Sequence, residues 1–414
     1  MSSRPNIAVV GATGAVGVEF LHLIESRKFS FGTLRLLASS RSSGKTMTCG
    51  NRPFKVETLN EDSFNDVDIA FFSAGGGISK KFAPIAAQKG CVVIDNSSAF
   101  RMDPNVPLVI PEINPEAVLL HRGIIANPNC STIIALVPLW PLHKHNRIRR
   151  IIAATYQAAS GGGAAAMQEL LDATRAYLEG KEHKPTVLPH PYAFNLFSHN
   201  AAVDPATLYN EEELKMVREA RKIFNDPEMR ISATCVRVPV LRAHCEALNV
   251  EFTDPISPSQ VHAWLKDQPG VRVVDDVGRN YFPMPREASG QDDVLVGRIR
   301  QDMSDPSGRS IAMFVSGDQL LKGAALNGIQ IAELLVKNGL GVAANFQQRS
   351  DHISNHMVQK PIAFNTHDNQ WSSPMNAAVE NGSYRCLPII LSAAKRHKIM
   401  PPLKISAPCL HCLD

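Results

Sequence analysis

The chain has 414 residues, 44% of them hydrophobic and 20% charged, with a formal net charge of +4. That length allows two or three domains, and the composition is that of a globular chain able to bury a sizeable core. So small a net charge argues against a nucleic-acid partner, and no apolar run nears the roughly 20 residues of a membrane span. No charged-then-apolar leader opens the chain, and its eight cysteines are scattered. The expected setting is therefore reducing and cytoplasmic, where a thiol stays free.

Ile7–Val10 reads as a short buried strand, and residues 16–26 as a helix with Val16, Phe20, Leu23 and Ile24 on one face. Between them lie Gly11, Thr13, Gly14, Ala15, Val16 and Gly17 in a G-x-x-G-x-x-G turn. Such a turn lets backbone approach a pyrophosphate, and the helix start offers it unpaired N–H groups. Alone it is often only a tight turn; the strand–turn–helix context makes it a dinucleotide cradle. Leu34–Ala38 is the next strand. An NAD site carries an acid near its end, whereas this chain has Ser39, Ser40 and Arg41. Hydroxyls and a guanidinium suit a 2′-phosphate, so the expected cofactor is NADP(H). A strand over 68–72 ends at Ser73, Ala74 and Gly75, where the dinucleotide would also pass. A helix over 79–89 and a strand over 91–95 complete a βαβ alternation, which predicts a parallel, doubly wound, Rossmann-like sheet.

Asn127-Pro128-Asn129-Cys130-Ser131-Thr132 precedes an apolar run over 133–139. This places Cys130 at a helix start, where the dipole favours thiolate over thiol. A lone cysteine is usually an inert buried side chain; the polar frame makes this one a nucleophile candidate. The basic stretch 143–150 reads as a solvated turn before a strand rather than a polyanion patch. Strands follow over 150–156, 233–239, 247–252, 271–274, 293–300 and 310–315, with a helix candidate at Glu211–Phe224. They suggest an α+β region with a mixed or antiparallel sheet. A long apolar helix is expected over 319–338. Beyond it the chain turns polar and loses periodicity.

The segment 127–132 resembles the nucleophile motif of the aspartate-β-semialdehyde dehydrogenases. The glycine turn, 95–102, 157–161, 212–215, 235–239 and 322–327 resemble the same family in the same order. The resemblance covers residues 5 to about 340. It implies catalytic roles for Cys130, for His244 as general acid/base and for Gln157 as an orienting group. It implies that Arg101 and Lys215 bind the phosphate of L-aspartyl 4-phosphate, Arg237 its α-carboxylate and Glu212 its ammonium. Ser160, Gly161 and Asn327 join the expected cofactor contacts. The implied reaction is reversible, NADPH-dependent reductive dephosphorylation to aspartate semialdehyde through a Cys130 thioester, in the biosynthesis of lysine, threonine and methionine. The implied assembly is a homodimer.

The competing readings are an acyl-phosphate reductase with another substrate and a catalytically silent dinucleotide-binding redox sensor. The expected domains are 1–130 with 317–340 for NADP, 131–316 for catalysis and dimerisation, and an appended tail over 341–414. Cys409 and Cys412 have C-x-x-C spacing, but one pair is half of a four-cysteine zinc site, so no metal is expected.

Overall fold

Every residue of β1 (Ile7–Val10) is buried, so this strand has no solvent face. In the computed structural model it is the centre of a seven-stranded sheet. The other strands are β2 (Leu34–Ala38), β3 (Thr46–Cys49), β4 (Arg52–Thr58), β5 (Ile69–Phe72), β6 (Val92–Asp95) and β7 (Ile124–Ala126), in the order β3-β4-β2-β1-β5-β6-β7. All pairs are parallel except β3 with β4. Alternate residues face opposite layers. Ile7, Val9, Leu36, Phe71 and Ile94 pack with Phe20 and Ile24 of α1 (Ala15–Ser26). Ala8, Val10, Leu37, Phe72 and Val93 pack with Phe82 and Ala86 of α2 (Gly76–Gln88). The doubly wound sheet expected from the alternation is present; β3, β4 and β7 were not anticipated.

The described residues are 4–339 and the two short strands β15 (Phe364–Asn365) and β16 (Gln370–Trp371), which pair with each other antiparallel. The rest of the expected tail, Cys409 and Cys412 included, lies outside them.

The second sheet comprises β8 (Ile148–Gln157), β9 (Phe197–Ser198), β10 (Arg230–Arg237), β11 (His244–Phe252), β12 (Val271–Val273), β13 (Val294–Gln301) and β14 (Ser310–Gly317). Its order is β12-β13-β14-β11-β8-β10-β9, and it is mixed: β8 runs parallel to β10 but antiparallel to β11. Against one face pack α3 (Cys130–His145), α5 (Glu211–Phe224) and α6 (Pro258–Leu265). Two further helices are α4 (Ala164–Leu178) and the short α7 (Pro285–Ala288). Ile133, Ile134, Leu136, Val137 and Leu139 are all buried, so α3 is enclosed almost all round. Of the basic stretch, His143, Lys144 and His145 occupy the last turn of α3, where positive charge suits the dipole. Arg149 and Arg150 are exposed on β8.

The helix expected over 319–338 divides into a π-helical turn, Leu321–Ala325, and α8 (Leu326–Lys337). Gly323 lies so close to α3 that a Cβ there would sit 2.9 Å from Cβ of Cys130. Lys322 is fully buried and donates to Glu112, Asn327 and Gln330 at 2.6–2.9 Å. A widened turn of this kind inside a helix is often found at a functional site. Among the described residues, no helix is long and apolar enough to cross a membrane.

Candidate active site

The strand register of the second sheet stacks its α3-facing side chains in rows. One row holds Ala233, Ala153, Leu248 and Met313, all apolar. Above it come Cys235, Thr155, Glu246 and Val315. At the top, Arg237 lies beside Gln157 and His244 beside Gly317. The first turn of α3 covers this top row. Asn129 caps it, its side chain accepting from the amides of Ser131 and Thr132 at 3.0 and 3.2 Å, a contact worth about 1 kcal/mol. Gln157 Nε2 donates to Ser131 Oγ at 2.9 Å, tying strand to helix beside Cys130.

One cavity of about 310 Å³ collects Cys130, Gln157, His244, Arg101, Glu212, Lys215 and Arg237 from five elements and a loop. Val16 of the glycine-turn helix lines it too. Cys130 alone among the described cysteines is not fully buried. Burial, then Glu212, push its thiol up to about 12, against Arg101, Arg237 and the Ser131 amide. Burial thus works against the thiolate that a helix start favours.

His244 is wholly buried, and burial followed by Arg237 lowers its pKa to about 3. Its Nδ1 accepts from the Ala158 amide at 3.1 Å. The neutral ring must then carry its proton on Nε2, which has no partner within the described structure. Gly161 faces that nitrogen: a Cβ there would lie 3.0 Å from it and 2.9 Å from Arg237 Nη1. Gly161 thus sits at the Arg237–His244 end of the cavity, not with the glycine turn. Ser160 stands beside it, its Oγ bound by Gln319 Nε2.

The charged groups are held individually. Arg101 donates to Glu219 at 3.1 Å and to the Asn127 and Asn96 carbonyls, leaving N–H groups for an anion. Glu212 accepts from Lys215, Asn129 and Gln157. Burial works to raise its pKa, but Lys215 leads the groups that hold it down at about 2. Arg237 Nη1 donates to the Ala158 carbonyl at 3.1 Å, and Nη2 faces Nε2 of His199 at 2.8 Å.

Sequence reading missed Glu219, His199, Gln319 and the cap role of Asn129. Glu219 could have been found, since it falls seven residues after Glu212 on one helix face; His199, in a loop, carries no such signal. Asn327, an expected cofactor contact, is not among the residues that line this cavity. Its amide donates to Val109 O and Asn127 Oδ1, its oxygen accepts from Lys322, and it is fully buried. These bonds tie the start of α8 to the Asn127 segment.

At the first sheet, the expected cradle has the right shape for a dinucleotide. Gly11 has φ +86°, and a Cβ there would collide with the Ser73 carbonyl, so glycine turn and Ser73 are neighbours. A Cβ on Gly17 would collide with the Gly11 and Ala12 carbonyls. No side chain caps α1, which leaves its first N–H groups to an anion. Thr13 Oγ1 reaches Ser42 Oγ at 3.4 Å, which joins the glycine turn to the loop holding Ser39, Ser40 and Arg41.

Two family models match the chain: "Semialdehyde dehydrogenase, NAD binding domain" over residues 6–121 and "Semialdehyde dehydrogenase, dimerisation domain" over 139–322. An aspartate-semialdehyde dehydrogenase of Synechocystis sp. is 53% identical over 339 residues, covering 82% of this chain and 99% of the relative. The crystal structure of aspartate semialdehyde dehydrogenase II complexed with ASA from Vibrio cholerae superposes with a TM-score of 0.78 at 45% identity, covering 81% and 99%. That of the Candida albicans enzyme with NADP gives 0.63 at 25% identity, covering 81% and 100%.

Proposed function

This chain belongs to the aspartate-semialdehyde dehydrogenase family, oxidoreductases of aspartate-family amino-acid biosynthesis, and we propose that it interconverts L-aspartyl 4-phosphate and aspartate semialdehyde through a thioester on Cys130, with NADP(H). The observation that carries this reading is the single cavity in which one accessible thiol meets Arg101, Lys215, Glu212 and Arg237. A substrate with a phosphate, an ammonium and a carboxylate needs two anion sites and one cation site around one reacting carbon.

In the reductive direction Cys130 Sγ bonds to the β-carbonyl carbon as the carbon–phosphate oxygen bond breaks. The departing phosphate is received by Arg101 and Lys215, and the thiol proton leaves with it. The nicotinamide, when bound, supplies the hydride. The carbon–sulfur bond then breaks as the carbonyl re-forms, and the departing sulfur takes up a proton from solvent, which restores the thiol. His244 presents a fixed Nε2–H, so its part is to donate a hydrogen bond to the oxygen that gains charge at the reacting carbon. Gln157 holds the first turn of α3 through Ser131, and thereby the aim of Sγ. Arg237 binds the α-carboxylate and Glu212 the ammonium.

The uncapped α1 and the Gly11–Gly17 turn would hold the pyrophosphate, with Ser39, Ser40 and Arg41 around the 2′-phosphate and Ser73, Ala74 and Gly75 alongside. The reading includes a homodimer formed by the second region, whose outward face exposes Ile152 and Tyr156. The test is an absorbance assay with aspartate semialdehyde, phosphate and either NADP⁺ or NAD⁺. Phosphate-dependent reduction that prefers NADP⁺ is expected, and Arg41→Ala should narrow the preference about tenfold. Turnover only with another aldehyde would overturn the substrate, and equal use of the two dinucleotides the cofactor preference.

A further inference from the structure

His199 follows β9 and lines the cavity beside Arg237. Its backbone is fixed by an N–H donated to the Cys235 carbonyl at 2.9 Å. Its ring is caught between two donors. Nδ1 lies 3.1 Å from the Ala201 amide, which donates to it, and Nε2 lies 2.8 Å from Arg237 Nη2. A neutral imidazole has one acceptor nitrogen and one N–H. If Nδ1 accepts from Ala201, the Nε2–H points at the guanidinium. If Nε2 accepts from Arg237, the Nδ1–H points at the amide. Either tautomer sets donor against donor. Protonation worsens the conflict, and burial, then the neighbouring cations, hold the ring neutral, its pKa lowered to about 4. Glu212, the nearby anion, is already engaged by Lys215, Asn129 and Gln157.

An oxyanion between the two side chains removes the conflict, since both then donate to it. Arg237 keeps donors for such a ligand: Nη2 carries two N–H groups and Nη1 one beyond its bond to Ala158 O, while Nε leans on Asn200 Oδ1 at 3.5 Å. We propose that His199 is a second ligand of the substrate α-carboxylate, its Nε2–H donating to one oxygen while Arg237 Nη2 donates to the carboxylate. This rests on the reading of Arg237 as the carboxylate site. It makes recognition of the amino-acid end a two-residue function, with one partner supplying charge and the other a neutral, directed N–H. The ring also fixes the anion's position, because the Ala201 amide fixes the ring.

The experiment compares the parent, His199→Asn and His199→Gln in the oxidative assay, on aspartate semialdehyde and on 3-aminopropanal, the same aldehyde without the carboxylate. An Asn oxygen can still accept from the Ala201 amide but places no donor at the Nε2 position; a Gln amide does reach it. Asn should therefore raise KM for aspartate semialdehyde about ten- to a hundredfold, with kcat within a few-fold, and Gln should recover most of that. KM for phosphate should stay put, and kcat/KM on 3-aminopropanal should be alike in all three proteins. Equal losses on both aldehydes, or Gln no better than Asn, would make His199 a structural residue and overturn the proposal. A rise in KM for phosphate instead would assign the ring to the other anion and overturn it too. If the parent itself fails to oxidise aspartate semialdehyde, the functional reading fails before any variant is compared. Thermal midpoints of both variants establish that they fold.

Discussion

In the first sheet the inner strands β1 and β5 are apolar on both faces, and what the strand ends present is backbone and short side chains: Gly11, Gly17, Ser73. In the second, the top row of one face is Arg237, Gln157 and His244, with a buried carboxyl, Glu246, one row below. Two of the charged groups around that row have their own attendants: Glu219 for Arg101, Lys215 for Glu212. A dinucleotide gripped by backbone asks little of the core beneath it. A small charged substrate must be met by buried charges, and these are costly unless paired. The second sheet accepts that cost at the row nearest the chemistry.

Four variants sharpen or break this contrast. The largest effect is expected of Cys130→Ala: turnover should fall about 10⁴-fold or more, while cofactor binding, which belongs to the other sheet, should be unchanged by fluorescence titration. Activity near that of the parent would end the thioester mechanism.

Arg237→Lys keeps the charge but loses the planar fork, and should cost about a hundredfold in kcat/KM for aspartate semialdehyde. Unchanged steady-state kinetics would remove the carboxylate role.

Glu246 carries a more modest prediction. Both its oxygens are buried without a hydrogen-bond partner, as is Oγ1 of Thr155 opposite it, and burial raises its pKa well above the usual carboxylate value. The folded chain thus keeps a proton that the unfolded chain releases. This contribution to stability is complete below the ordinary carboxylate range and is lost as pH rises above it. Denaturant unfolding between pH 5 and pH 8 should therefore show parent stability falling with pH more steeply than Glu246→Gln, by up to about 1.4 kcal/mol per pH unit. Parallel slopes would mean that Glu246 is ionised in the fold.

The smallest effect is expected of a chain ending after Leu340. The family models end at residue 322, and the Synechocystis relative covers 82% of this chain. Turnover and thermal midpoint should match those of the full chain within about two degrees. A large drop in either would give the later residues a part in the fold.

The contrast also explains what could be read from sequence. Backbone binding leaves its mark in glycine spacing, so the cradle was legible, as were β1, β2, β5 and β6 from their apolar runs. Edge strands β3 and β4 bury little, and their alternation is faint. At the substrate end, Arg101, Glu212, Arg237 and His244 were named through family resemblance, because no local period links loop, helix and two strands. His199 stayed hidden for the same reason, whereas Glu219 shares a helix face with Glu212 and carried a signal that went unread. The thiol's resting state depends on how deeply Cys130 is enclosed, which no motif encodes. The engagement of Asn327 by Val109 and Asn127 depends on residues some two hundred positions away and leaves no local mark either.

The contact between Gly323 and Cys130 has a consequence for how the protein is made. Cys130 leaves the ribosome roughly two hundred residues before the turn that closes over it, an interval of about 10 to 40 s at ordinary rates of synthesis. Until then α3 has no π-turn against it, Asn127 lacks the Ala324 carbonyl, and Arg237 and His244 are not yet built for much of the wait. The nascent chain therefore carries an ordinary cysteine. The cavity around it arises late, as a long-range closure, so a chain released early holds Cys130 without the groups that surround it in the fold.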